Sequence, residues 1–556
     1  MFRIGSLIGR EWDTCEETLF SRTSHPEPHS SHNNPMSSQR PAFVSRETDL
    51  ATEKKSVGDV VDTVPATEDV LPERRHVYNE KTKISAIFSV IFAGIALMSD
   101  GYNVGIIGNM NLLFAAVFPS AYTPTMKTRI NNSFLIGEIV GMLFFGSIID
   151  RIGRKSGILM TTMTLILGII ISAAAHGGTP EGLLWMLLVG RGLAGVGAGG
   201  EYPVCGTAAI EAADETEHVR KWRGFLVASV GDMAIDFGII LSGLVALIVM
   251  AAYGYGLTTV STQGYGGIWR ICLALGLVPP LCVFYFRIKM LNSTAFRNHA
   301  MKGRQINVRV LKLAAKRYWR RIIGTCACWF LYDFTIYPFG LFSSTIVSQL
   351  NPDNTVMRNI ALAVLINAFH FPGCLVGALI IDKLGRRNTQ ALGFTVQAML
   401  GMILGGALGP IRNHTAAFVV LYGLFGAAAE VGPGIATIII SGEVYPTALR
   451  GHLFGLSAAW GKVGAAIGTQ VFIPIQDAFP TTFKGEQAVF IIGSAVSIVG
   501  AIVTMLTIPG TSIDIEVEDK SWKDYLKRNG VDVSDMGEPL EVSASKGIKA
   551  EIDHLG

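Results

Sequence analysis

The chain has 556 residues, half of them hydrophobic and only 16% charged, with 62 glycines, a mean hydropathy of +0.41 and a formal net charge of +3. That balance excludes a soluble globular protein and predicts an all-α integral membrane protein, in which the useful count is of spans.

Residues 1–83 are rich in Ser, Pro, His, Asn and charge, and are expected to form a disordered cytoplasmic tail. No charged start followed by an apolar core stands at Met1, so the first span is expected to direct insertion. Apolar runs of about twenty residues then follow one another, each long enough to cross a ~30 Å hydrocarbon layer as a helix. Six start near Ile84, Asn132, Gly157, Leu183, Gly224 and Trp269, and six near Ile322, Ile360, Gln390, Ala416, His452 and Ala488. They predict two six-helix bundles, 84–288 and 322–508, joined by a basic and partly helical linker, 289–321, and followed by a cytoplasmic tail, 509–556. Lys and Arg crowd the loops DRIGRKSG, EHVRKWRG and DKLGRRN and the linker, which places both tails in the cytoplasm. Asn413 matches a glycan-acceptor triplet in a short loop on the other side.

The run LLVGRGLAGVGAGGEYPVCGTAAIE, from Leu187 to Glu211, sets an acid near mid-depth, where it costs roughly 2.5–3.5 kcal/mol. Gly195, Gly197 and Gly200 have dinucleotide-loop spacing, but apolar helix flanks them and no strand precedes them, so they are expected to serve close helix packing. The cysteines Cys15, Cys205, Cys272, Cys282, Cys326, Cys328 and Cys374 show no metal-ligand spacing and read as small buried hydrophobes. In-span ionisable residues are Asp100, Glu138, Arg191, Glu201, Asp232, Asp236, Asp333, His370, Glu430 and Lys462. Most must face the bundle interior or a wet cavity, and several are expected merely to pair with one another.

An internal repeat organises the chain. Asp150-Arg151-Ile-Gly-Arg154 returns as Asp382-Lys-Leu-Gly-Arg386, and Arg223-Gly224 as Arg450-Gly451. Two halves turned the same way place a site at their interface near the midplane. The duplicated Asp-Arg-x-Gly-Arg pattern resembles the signature of the major facilitator superfamily. Asp150, Arg151, Arg154, Asp382 and Arg386 are expected to latch the cytoplasmic side through helix N-termini and Arg side chains, and Glu443 with Arg450 to add to that latch.

Four stretches in order, Ser99-Asp100-Gly101-Tyr102-Asn103, Gly199-Gly200-Glu201-Tyr202-Pro203, Trp329 through Asp333 to Tyr337, and Ser457 through Lys462, are similar to the phosphate:proton symporters and the related fungal glycerophosphodiester transporters. The resemblance covers about Ile84 to Pro509 and implies roles. Tyr202, Trp329, Asp333, Tyr337 and Lys462 would bind substrate, His370 would touch a larger headgroup, and Asp100 and Glu201 would carry protons. Glu201, Asn103 and Ile235 depart from the phosphate symporters' Asp, Asp and Gln, which favours a diester such as glycerophosphoinositol or glycerophosphocholine over inorganic phosphate.

The function expected from this is proton-coupled import of a phosphate-bearing anion across the plasma membrane by alternating access. Moving one negative charge into an inside-negative cell costs about 2.3 kcal/mol per 100 mV, which one proton offsets. Inorganic phosphate import is the alternative of the same class, and a non-transporting nutrient sensor that of another. No catalytic spacing marks an enzyme. No cofactor, metal or nucleic-acid partner is expected, and a monomer should suffice.

Overall fold

The structure, a computed structural model, describes residues 80–152, 154–214, 222–258, 266–289, 306–350, 353–412, 414–510, 514–533 and 536. Most of the expected N-terminal tail, the middle of the linker, Cys15, Asn413 and the side chains of Arg151 and Arg154 lie outside the described residues.

Among the described residues twelve long helical rods follow one another, with one short helical piece, Leu408–Arg412, between the ninth and the tenth. In the first half they are α1 (Glu80–Val117), α2 (Pro124–Ile152), α3 (Arg154–Ala173), α4 (Pro180–Asp214), α5 (Arg223–Val230 continued by Asp232–Ala252) and α6 (Ile268–Leu275 continued by Val278–Lys289). In the second half they are α7 (Val308–Leu350), α8 (Val356–Ala368 continued by His370–Leu384), α9 (Arg386–Gly406), α10 (Thr415–Ala429, then a π turn Glu430–Gly434, then Ile435–Glu443), α11 (Arg450–Asp477) and α12 (Thr482–Thr507). A thirteenth helix, α13 (Ile515–Arg528), closes the described chain.

Ten rods are long and apolar enough to cross a bilayer. The other two, α9 and α11, are as long, with 21 and 28 residues, but their inward faces carry buried Gln390, Gln397, Arg450 and Lys462, which lowers their hydropathy. Large apolar side chains such as Ile248, Val189 and Leu506 stand exposed on the outside, as a lipid-facing surface requires.

Within the first half α2 packs on α4, α4 on α3, and α1 on α5; within the second α7 packs on α11 and α9 on α12. The two halves meet where α2 faces α11, α5 faces α8 and α1 faces α7. The first two contacts are equivalent under the repeat, so one duplicated surface builds both. Close approach rests on glycine. A Cβ on Gly195 would collide with the Phe134 carbonyl of α2, one on Gly197 with the backbone of Leu165 in α3, and one on Gly200 with the Phe145 ring. The dinucleotide-like spacing is therefore a packing device shared among three helices.

Two boundaries differ from the sequence reading. Residues 308–321, expected as linker, extend α7 without a break, because VRVLKLAAKRYWRR holds no helix breaker and buries Val310, Ala314 and Tyr318 along one face. Part of the C-terminal tail is ordered as α13. Trp522 is fully buried against Tyr318, the Tyr318 hydroxyl donates to Glu518 at 2.7 Å, and Arg321 donates to Glu518 at 3.0 Å. Asp519 accepts from the Thr447 amide at 2.6 Å and its hydroxyl at 2.7 Å. Of the described cysteines, Cys205, Cys272, Cys328 and Cys374 are buried, whereas Cys326 is half-buried and Cys282 is exposed on the lipid-facing side of α6, against the reading of all as buried.

Candidate functional site

A cavity lined by side chains of both halves lies between them. Gly105 and Gly108 of α1 line one wall, while aromatic side chains of α4 and α7 stand into it.

One pole is cationic. Lys462 of α11 is buried, and its ammonium reaches the Tyr202 hydroxyl at 3.4 Å, the Tyr337 hydroxyl, and Asp333 Oδ2 at 3.5 Å. It also stands over both tyrosine rings, 4.9 Å from the centre of Tyr202 and 4.1 Å from that of Tyr337. Trp329, one turn before Asp333 on α7, tilts against Tyr202 with ring centres 6.4 Å apart.

Behind this layer the Tyr202 hydroxyl donates to Asp100 Oδ2 at 2.8 Å, and Glu138 of α2 lies against Asp100. Neither carboxyl oxygen of Glu138 meets a hydrogen-bond donor. Two buried carboxyls side by side are satisfied by a proton held between them, since the protonated one becomes a donor. The cationic pole is thus backed by three acids, Asp333, Asp100 and Glu138.

The other pole is acidic. Asp232 and Asp236, one turn apart on α5, meet Glu430 of α10, His370 and Cys374 of α8, and Tyr332 of α7. His370 Nδ1 lies 3.5 Å from Asp236 and 3.8 Å from Glu430. The Tyr332 hydroxyl is 2.8 Å from both Glu430 oxygens, and the Cys374 thiol lies 3.0 Å from Asp236 and 3.4 Å from Asp232. Together Asp232, Asp236, Cys374 and Glu430 bring carboxylate oxygens and a sulfur within 4.8 Å of one another. Local chain chemistry makes it possible. Pro433 has no N–H to give, which opens α10 into its π turn at Glu430, and Gly434 leaves the space into which Glu430, Asp232 and Tyr332 converge.

Hydrogen bonds between the halves cross both faces. On the face of the repeated motif, Asp150 at the end of α2 accepts from the first-turn amides of α11, Gly451 at 3.2 Å and His452 at 2.9 Å, and meets His452 Nδ1 at 2.6 Å. Its repeat mate Asp382, at the end of α8, accepts from the Phe225 amide in the first turn of α5 at 2.9 Å and from Arg386 at 2.6 Å. Gly385, at φ 87°, makes the left-handed turn that folds Arg386 back. Glu443 and Arg450, read together as a latch, do not pair with each other. Glu443 accepts from Arg223 at 2.9 Å and Arg386 at 3.0 Å, and Arg450 meets Glu211 at 3.3 Å.

Of the residues singled out in the sequence, Tyr202, Trp329, Tyr337, His370 and Lys462 line the cavity, and Asp333 and Asp100 stand directly behind them. Glu201 does not join them. Successive helix residues point about 100° apart, so with Tyr202 toward Asp100, Glu201 faces α3 and α6. There it pairs with buried Arg287 at 2.5 Å and accepts from Thr162 at 3.0 Å. Arg287 stood at the very end of the first expected bundle, next to the basic linker, where nothing marked it as buried. Glu138, Asp232, Asp236 and Glu430 were visible only as unassigned in-span acids. The four-residue spacing of the aspartates and the Glu-Val-Gly-Pro-Gly run at 430–434 were the available signals.

The sequence model of the sugar (and other) transporter family matches residues 87–515. Glycerophosphoinositol permease 1 of Candida albicans is 37% identical over 480 residues, covering 84% of this chain and 89% of that protein. Glycerophosphoinositol transporter 1 of Saccharomyces cerevisiae is 35% identical over 455 residues, covering 81% and 85%. Among solved structures, the proton:xylose symporter XylE of E. coli superposes with a TM-score of 0.65 at 17% identity, over 80% of this chain and 100% of that one, a likeness of fold.

Proposed function

We propose that this chain, which belongs to the sugar (and other) transporter family of the major facilitator superfamily, is a plasma-membrane importer that couples protons to uptake of a glycerophosphodiester. The observation that carries the reading is buried Lys462, set between the Tyr202 and Tyr337 hydroxyls and backed by three buried acids. A neutral sugar needs no buried cation. A phosphodiester anion would take the ammonium and both hydroxyls, freeing Asp333 from its partner. That exchange is a reason for anion and proton to travel together: once the phosphate occupies Lys462, the acids behind it lose their counter-charge, and protonation restores neutrality.

The headgroup would reach toward Asp232, Asp236 and Glu430, whose oxygens accept from hydroxyls, and toward the His370 ring nitrogens. The names of the glycerophosphoinositol relatives support a diester. Asp100 with Glu138 is the proton-bearing pair in this scheme, and Glu201 holds Arg287. The seam of Asp150, Asp382, Arg386, Glu443 and Arg450 faces the cytoplasm with both tails, and closes while the opposite face opens.

Uptake by purified protein in liposomes tests this. Labelled glycerophosphoinositol and glycerophosphocholine should accumulate under an inward proton gradient, and inorganic phosphate should compete weakly. Binding without uptake would make the protein a sensor, and preferred uptake of inorganic phosphate would replace the diester.

A further inference from the structure

The two faces of the cavity are crossed by different chemistry. The Asp150 face carries carboxylates met by arginines and backbone amides. The opposite face is crossed by neutral groups: the Ser344 hydroxyl donates to the Gly108 carbonyl at 3.3 Å, Asn111 to the Leu341 carbonyl at 3.5 Å, and Asn132 to Gln470 at 3.2 Å. Lys127 joins them. Its ammonium, on the first turns of α2, crosses to α7, where it donates to the Thr345 hydroxyl at 3.1 Å and stands 5.0 Å from the centre of the Phe342 ring. Among the described residues no carboxylate lies within ion-pair distance of it.

A cation held only by a hydroxyl and a ring face keeps its charge available to an incoming anion. Eleven residues separate Lys127 from Glu138, which at 1.5 Å per residue is about 16 Å and close to three whole turns, so the two share one side of α2. Glu138 backs the Lys462 pole. Lys127 therefore stands on the same side of α2 as the Lys462 pole, about 16 Å along the helix toward the opposite face.

We propose that Lys127 is a specificity-determining residue, the first counter-charge a net-negative solute meets when this face opens, selecting for net charge before Lys462 selects for phosphate. The inference rests on the transport reading above, with entry through this face. The ammonium leaves Thr345 and Phe342 for the solute as α2 and α7 part, so opening and capture exchange one partner for another.

Uptake kinetics of Lys127→Gln with solutes of different net charge test it. Glycerophosphoinositol carries one net negative charge, and glycerophosphocholine is a neutral zwitterion. Steering by one charge predicts about a tenfold rise in KM for the first, little change for the second, unchanged kcat for both, and a flatter dependence of KM on ionic strength. Lys127→Arg should restore the wild-type pattern, as should Lys127→Cys after attachment of an aminoethyl group through its thiol. Equal KM shifts for both solutes, or a fall in kcat alone, would show a merely structural seam residue and overturn the proposal. Wild-type protein that carries neither solute would instead overturn the transport reading on which it rests.

Discussion

Replacing Glu201 by Gln separates a structural acid from a proton carrier. Glu201 and Arg287 are both buried, 2.5 Å apart, with Thr162 as shared partner and Cys205 Sγ at 3.7 Å from the guanidinium. Glu201→Gln removes the carboxylate and strands the guanidinium, a change that costs about 3–5 kcal/mol when one member of a buried pair is lost. Replacing both, as Glu201→Gln with Arg287→Met, removes the stranded charge and should recover most of that loss. The assay is thermal unfolding of purified protein in detergent, with gradient-driven uptake measured in parallel. The geometry predicts a less stable single variant, a near-normal double variant, and uptake that follows the amount of folded protein in each. A Glu201→Gln protein of wild-type stability that binds solute but no longer accumulates it would return Glu201 to the proton path and refute the assignment.

Three further outcomes follow from other contacts. Asp150→Ala removes acceptors from two first-turn amides and His452, at about 1.5–3 kcal/mol for charge-assisted bonds, so distances between spin labels on the ends of α2 and α11 should shift at least tenfold in population toward separation; an unchanged distribution would remove Asp150 from the latch. Gly434→Ala puts a methyl group where Glu430 and Asp232 converge, and should lower uptake on the order of 100-fold with intact size-exclusion behaviour; normal uptake would mean that the acidic pole is not used. Asp519→Ala frees the Thr447 amide, whose hydrogen exchange should speed up together with that of α13, and unchanged protection would show that α13 docks through Trp522 and Glu518 without this bond.

The twelve rods and the repeat were legible because each has a local signature, apolar length and a duplicated Asp-x-x-Gly-Arg turn, and Trp329, Asp333 and Tyr337 because they stand four apart on α7, whereas Tyr202 and Lys462 were singled out by the resemblance. Hidden features depend on which way a side chain turns about its helix. Glu201 and Tyr202 are neighbours in sequence and belong to different environments, a matter of 100° that spacing alone does not resolve. The acidic pole brings together Asp236 and Glu430, which lie in different halves, so it exists only once α5 meets α8 and α10. The docking of α13 was obscured for another reason. Its sequence IEVEDKSWKDYLKR is polar enough to read as tail, yet Ile515, Trp522 and Leu526 share a buried side. Glu443 and Arg450, read as one pair because they are close in sequence, instead meet Arg223 and Glu211, which come from the other half.

In the proposed scheme Lys462 binds the phosphate while acids behind it carry the proton. Liposomes with a one-unit inward-acid gradient provide the direct measurement, because each coupled proton supports about tenfold accumulation of an otherwise electroneutral load. Wild-type protein should concentrate labelled glycerophosphoinositol, Lys462→Gln should neither bind nor carry it, and Asp100→Asn should still exchange it across the membrane without concentrating it. Uphill uptake that survives Lys462→Gln, or an Asp100→Asn protein that still concentrates the diester, would contradict the account.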